Sequence, residues 1–220
     1  MTTAALSYRE PLGQFLVVVG IDGSGKSTLL RALDIPGTAV ASWQDLRSHE
    51  APATLAPESP TEIRNRVPPL ARAMFIGGHL VAQYEYLVRP RIEAGINVVL
   101  DSYHFKLLAK ERLFGVGDES LERLCAELPL PNAVVFVDVD PKTAFERKEG
   151  VLSPYEYQGE ATLENFVAFQ SQLRDLVLSQ LDSLAYVVVD GSADSADVLR
   201  AVRTEIERRV SPSCHLKGSA

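Results

Sequence analysis

Short apolar, β-branched runs alternate along this chain with longer stretches in which apolar residues recur every three or four positions. Five consecutive apolar residues, Phe15-Leu16-Val17-Val18-Val19, predict a strand covered on both faces, because a strand with one wet face would alternate. The same pattern predicts strands over 14–19, 38–42, 97–100, 133–137 and 185–189. Helical spacing predicts helices over 26–33, 70–94, 121–127, 143–149, 163–184 and 196–210, and a further helix-like stretch follows Ser102-Tyr103. Strands that alternate with helices imply an α/β fold, a parallel sheet with helices on both faces.

Two connections break the rhythm. Segment 50–69 holds five of the thirteen prolines, which forbids a continuous helix, and segment 150–160 is short, polar and carries Pro154. Irregular stretches of this length inside an ordered domain are commonly kept for function. The expected organisation is a tail over 1–13, one domain over 14–210 with a lid at about 149–160, and a second tail over 211–220.

The composition narrows the class. A chain of 220 residues with 46% hydrophobic side chains buries one core. Its net charge of −7, from 22 basic against 29 acidic residues, argues against a binder of nucleic-acid polymers. Cys125 and Cys214 are the only cysteines, too few for a stapled secreted scaffold. No signal-peptide pattern and no run of about eighteen apolar residues is present, so the expected setting is the cytoplasm, away from membranes.

The strongest chemical signal is Gly20-Ile21-Asp22-Gly23-Ser24-Gly25-Lys26-Ser27, directly after the first strand and opening the first helix. This is a P-loop, or Walker A, pattern: glycines let backbone N–H groups curl around a phosphate chain, Lys26 reaches the terminal phosphates, and the Ser27 hydroxyl suits Mg²⁺. A helix dipole alone contributes about 0.3–1 kcal/mol, so amides, lysine and metal must act together. Without the Asn-Lys-x-Asp sequence that reads guanine, a GTPase is disfavoured.

Val98-Val99-Leu100-Asp101 predicts a buried strand ending in an acid, at the edge where α/β sheets bind ligands. Asp101 either serves Mg²⁺ or caps the next helix, and the two roles are compatible. A third strand runs through Val137-Asp138-Val139-Asp140-Pro141 into a helix bearing Arg147 and Lys148. Those cations either close over a transferred phosphoryl group or form a solvated helix end paired to Glu146 and Glu149.

Together these motifs resemble the thymidylate kinase family of P-loop nucleoside monophosphate kinases, from Phe15 to about Arg209. The loop Ile21 to Thr28, Thr61-Glu62-Ile63, Val88-Arg89-Pro90, Val137 to Pro141 with Ala144 and Arg147, Tyr155-Glu156 and Val188-Val189-Asp190-Gly191-Ser192 carry the likeness. The resemblance implies a three-layer fold with a five-stranded parallel sheet, ATP and Mg²⁺ as cofactors, a nucleotide acceptor such as dTMP, and a homodimer. It also implies an ATP site at Gly20, Asp22, Gly23, Ser24, Gly25, Lys26, Ser27, Thr28, Arg147, Gly191 and Ser192. Catalysis would fall to Lys26, Asp101, Arg147 and Lys148, with Ser27 and Asp101 at the metal. Asp22, Phe75, His79, Tyr103 and Tyr155 would face the acceptor, and His104 lies near them in sequence.

Three departures stand against that likeness. Ser102, Leu80 and Leu55 occupy positions where the family carries arginines around the acceptor phosphate or the transfer centre. Serine and leucine supply neither the charge nor the paired donors of arginine. Either Arg47, Arg64, Arg66, Arg72 or Lys106 takes over, or the acceptor is an unphosphorylated nucleoside or other hydroxyl compound. A nucleotide-binding module without transfer is the remaining alternative.

Overall fold

A computed structural model describes residues 13–48, 67–126 and 128–210. The tails, Leu55, Thr61-Glu62-Ile63, Arg64, Arg66, Cys214 and the side chains of Arg47 and Cys125 lie outside the described residues. Five strands, β1 (Phe15–Val19), β2 (Thr38–Ala41), β3 (Asn97–Asp101), β4 (Ala133–Asp138) and β5 (Tyr186–Asp190), form a single sheet in the order β2-β3-β1-β4-β5. Every neighbouring pair is parallel, as the apolar runs predict.

The helices are α1 (Lys26–Ala32), α2 (Pro69–Ala82), α3 (Arg89–Glu93), α4 (Tyr103–Leu113), α5 (Asp118–Ala126), α6 (Pro141–Arg147), α7 (Leu163–Leu181) and α8 (Ser195–Val210). Strand residues divide by parity. Phe15, Val17 and Val19 face a core shared with Leu80 of α2, Leu108 of α4 and Leu173 of α7. Leu16 and Val18 face Leu29 and Leu30 of α1 and Val202 and Ile206 of α8. Because both faces are covered, the central strands read as unbroken apolar runs, and each such buried Val or Leu contributes roughly 1.5–3 kcal/mol. Among the described residues, no helix is long and apolar enough to cross a membrane.

Two local features differ from the sequence pattern. The single helix expected over 70–94 is α2, a π-helical segment Gln83–Val88, and α3 in succession. The wider segment ends just before Pro90, whose missing N–H removes a rung from an α-helical ladder. The second difference is α4, an 11-residue helix for which no boundaries were predicted. Its buried side includes Lys110 and Glu111, so a search for an apolar stripe passes over it.

The chain leaves β1 for one edge of the sheet, returns through β3, and continues on the other side at β4. Ligand crevices in open α/β sheets form where that direction reverses, beyond the carboxyl ends of the strands. The P-loop after β1, Asp101 ending β3 and Asp138 ending β4 all lie at that edge.

Candidate functional site

The loop between β1 and α1 is held by close backbone approach. Gly23 has φ +79°, and a Cβ there would lie 2.4 Å from the Ala144 carbonyl oxygen of α6, so only glycine fits. Lys26, the first residue of α1, is 5% exposed, and its Nζ lies 2.7 Å from Asp101 Oδ1. The hydroxyl of Ser27 donates to Asp101 Oδ2 at 3.1 Å, and that of Ser102 to Oδ1 at 2.8 Å. Asp101 does not cap α4: Ser102 stands at the cap position, with no side-chain cap bond.

Burial pushes the Lys26 ammonium down and Asp101 only partly restores it. For Asp101, burial opposes ionisation, but the charge and hydrogen bond of Lys26 outweigh it and hold the carboxyl below its ordinary value. The 2.7 Å contact holds the two side chains in a fixed orientation. Hydroxyl and carboxylate oxygens side by side suit a hard cation such as Mg²⁺. Among the described residues, no group of three His, Cys, Asp or Glu side chains is placed to hold a metal.

Beside the loop runs a cleft of about 560 Å³, lined by Ser24, Gly25, Thr28, Arg147, Gly191 and Ser192 among others, a size that admits a nucleotide. Ser24, Gly25 and Thr28 therefore meet Gly191 and Ser192 of the β5–α8 turn at one cleft, while Gly20, Asp22, Gly23, Lys26 and Ser27 are not among its lining. Gly191 is packed so tightly that a Cβ would lie 2.6 Å from Val139 Cγ2. Arg147, at the end of α6, donates to the Gly191 carbonyl at 2.8 Å and lines this cleft. Lys148 does not pair with Glu146 or Glu149; its Nζ lies 3.0 Å from Glu156 Oε2 in the 150–160 segment.

Asp22, which the resemblance places facing the acceptor, is held by side chains of α4 and α7. Lys106 Nζ lies 2.7 Å from its Oδ1, Lys110 Nζ 2.7 Å from its Oδ2, and Gln170 Nε2 donates to Oδ2 at 3.0 Å. Burial opposes the charge on Asp22, yet the two lysines together drive its carboxyl well below the ordinary range. Burial lowers both lysines as well; Asp22 lifts Lys106 above its usual value, whereas Lys110 is pushed down to about 8.

The 150–160 segment is ordered around a capping box. Ser153 accepts from the Tyr155 N–H, while Glu156 accepts from the Ser153 N–H. Tyr155, 4% exposed, donates to Glu111, which also takes Arg72 Nε at 2.8 Å. Arg72 is thus committed to Glu111. Lys110 lies beneath the Tyr155 ring, 4.6 Å from its centroid.

The remaining acceptor candidates are spread out. Tyr103 is buried in the core with its ring edge on Phe15, His79 is buried near Trp43, and Phe75 is 40% exposed on α2. His104 is buried against Phe105. Leu80 is fully buried in the core beneath α2. Sequence reasoning missed Lys110, Glu111 and Gln170. The only available signal was that Lys106 and Lys110 stand one helical turn apart, just after the strand-end acid.

No protein-family model matches the chain. Curated relatives do. The chain is 26% identical over 198 residues to a probable thymidylate kinase of Pyrobaculum aerophilum, covering 89% of this chain and 97% of that protein. It is 28% identical over 195 residues to a thymidylate kinase of Xylella fastidiosa, covering 87% and 85% respectively. With the thymidylate kinase of Schizosaccharomyces pombe the identity is 26% over 206 residues, covering 86% and 90%.

Proposed function

We propose that this chain, which resembles thymidylate kinases along most of its length, is an ATP-dependent phosphotransferase that moves the γ-phosphoryl group of ATP to a nucleoside monophosphate such as dTMP. The observation that carries the reading is the ion pair of Asp101 with Lys26 of a P-loop whose Ser24 and Gly25 line a nucleotide-sized cleft.

Each role follows from position. The P-loop amides and Lys26 hold the β- and γ-phosphates, while Arg147, Gly191 and Ser192 border the nucleoside end of ATP. Ser27 and Asp101 would hold Mg²⁺, which neutralises charge on the phosphate oxygens when bound. No protein nucleophile is needed. Transfer between two phosphates depends on alignment and on cations around the moving group, so a site built from rigid elements with prearranged charges suffices.

The deciding experiment is an acceptor panel. Purified protein is given γ-labelled ATP with Mg²⁺ and, separately, dTMP, other nucleoside monophosphates, thymidine and other nucleosides, and products are identified by mass spectrometry. Labelled dTDP is the expected product. Label appearing only on unphosphorylated nucleosides would replace the acceptor class, and ATP binding without any labelled product would leave a nucleotide-binding module.

A further inference from the structure

The charges around the site do not pair one to one. Lys26 meets Asp101, Arg72 meets Glu111 and Lys148 meets Glu156, but Asp22 alone receives two ammonium groups. Their side chains are 12% (Lys106) and 4% (Lys110) exposed. Removing a charge from water costs several kcal/mol, and two like charges side by side repel, so one lysine would satisfy Asp22 more cheaply than two. The surplus cation suits a site that awaits an additional anion.

Only one of the two lysines is free to change partner. Lys110 lies beneath the Tyr155 ring, enclosed by the 150–160 segment. Lys106 is the more exposed, and it lies near enough to Lys26 and Asp101 for their charges to act on one another. If Lys106 swings off Asp22, the carboxylate keeps Lys110 and Gln170, and no buried charge is orphaned. The helix that carries both lysines opens on an unusual backbone: Ser102 and Tyr103 adopt φ +70° and +53°, a region disfavoured for residues with a Cβ.

Among the described residues, other candidate positions are committed. Arg147 holds the Gly191 carbonyl, Arg72 holds Glu111, and position 102 is a serine bonded to Asp101.

We propose that Lys106 is a catalytic residue, leaving Asp22 to bind the phosphoryl group during transfer, and that Lys110 is the positioning residue that keeps Asp22 neutralised meanwhile. This rests on the kinase reading above. In the step, an oxygen of the acceptor phosphate forms a bond to the γ-phosphorus as the bond from that phosphorus to the β–γ bridging oxygen breaks. The bridging oxygen carries the electron pair into ADP. A monoester phosphate is largely a dianion at neutral pH, so no proton need be moved. Lys106 donates to the equatorial oxygens, where negative charge is spread.

The test uses the full chain with ATP, Mg²⁺ and dTMP. Lys106→Met is expected to lower kcat by about 100-fold or more while the ATP KM stays within about threefold, since the cation is used in the transition state. Lys106→Arg should recover at least about a tenth of wild-type kcat. Lys110→Met should lower kcat about tenfold, because Lys106 becomes the only cation left to Asp22, and adding Asp22→Asn should reverse part of that loss. Reversal in kcat with an unchanged melting temperature separates this positioning role from a merely structural one. Wild-type turnover with Lys106→Met unchanged in kcat overturns this proposal alone, as does a folded Lys106→Met whose loss Lys106→Arg does not recover. A wild-type protein without turnover on any acceptor overturns the kinase reading as well.

Discussion

Lys26 Nζ lies 2.7 Å from Asp101 Oδ1, tying the first turn of α1 to the end of the neighbouring strand β3. The contact keeps a buried ammonium compensated until a phosphate chain replaces or joins the carboxylate. The register makes the contact possible: β1 and β3 are adjacent and parallel, with Val18 opposite Asp101, so the loop that follows β1 brings Lys26 beside the end of β3.

Lys26→Met is therefore expected to lower phosphoryl transfer about 100-fold or more and to leave the fold intact. Asp101 keeps the Ser27 and Ser102 hydroxyls, so the remaining carboxylate is not stranded. An ADP-release assay beside a thermal melt checks this, and near-normal turnover in a folded variant would remove Lys26 from the mechanism.

Arg147→Ala should act on nucleotide affinity more than on turnover. The sequence leaves Arg147 either closing over the transferred group or on a solvated helix end; its guanidinium holds the Gly191 carbonyl at the cleft wall. Loss of a charged hydrogen bond of about 1.5 kcal/mol corresponds to roughly a tenfold rise in ATP KM. Steady-state kinetics decide the matter: a large fall in kcat with unchanged KM would return the residue to the transfer step.

The Arg72–Glu111 pair is buried, with Glu111 fully enclosed. Arg72→Met leaves that carboxylate without its guanidinium, and a broken buried pair costs about 3–5 kcal/mol. Urea unfolding should show that loss, and the double variant Arg72→Met with Glu111→Met should recover most of it. Additive losses in the double variant would show that the ion pair is not the cause.

His104 gives the stability a pH window. Burial lowers its pKa to about 4, and among the described residues its Nδ1 has no hydrogen-bond partner. Between about 6.5 and 4 the unfolded chain binds a proton that the folded chain refuses, so stability falls as pH drops through that interval, by about 3 kcal/mol in all. Unfolding of wild type and His104→Phe at pH 7.5 and 4.5 checks this; the variant should lose the slope. Asp22, whose folded carboxyl titrates below the ordinary range, adds its own loss only below about pH 4, in both proteins.

The sequence by itself determined the five strands, the parallel sheet and the loop that follows β1. Each of these is local: buried strands need unbroken apolar runs, and a phosphate cradle needs glycines and a lysine at fixed spacing. It also brought Arg147, Gly191 and Ser192 forward as residues of one site, which the cleft beside α1 joins. What only the tertiary structure decided is which charges meet. Gln170 reaches Asp22 from 148 positions away, Glu111 takes both Arg72 and Tyr155, and α4 carries lysines inward from a helix that shows no apolar stripe. Spacing along a chain reports the face of one element. The partner of a buried charge depends on how separate elements pack, because such a charge is tolerated only where another element brings its counter-charge.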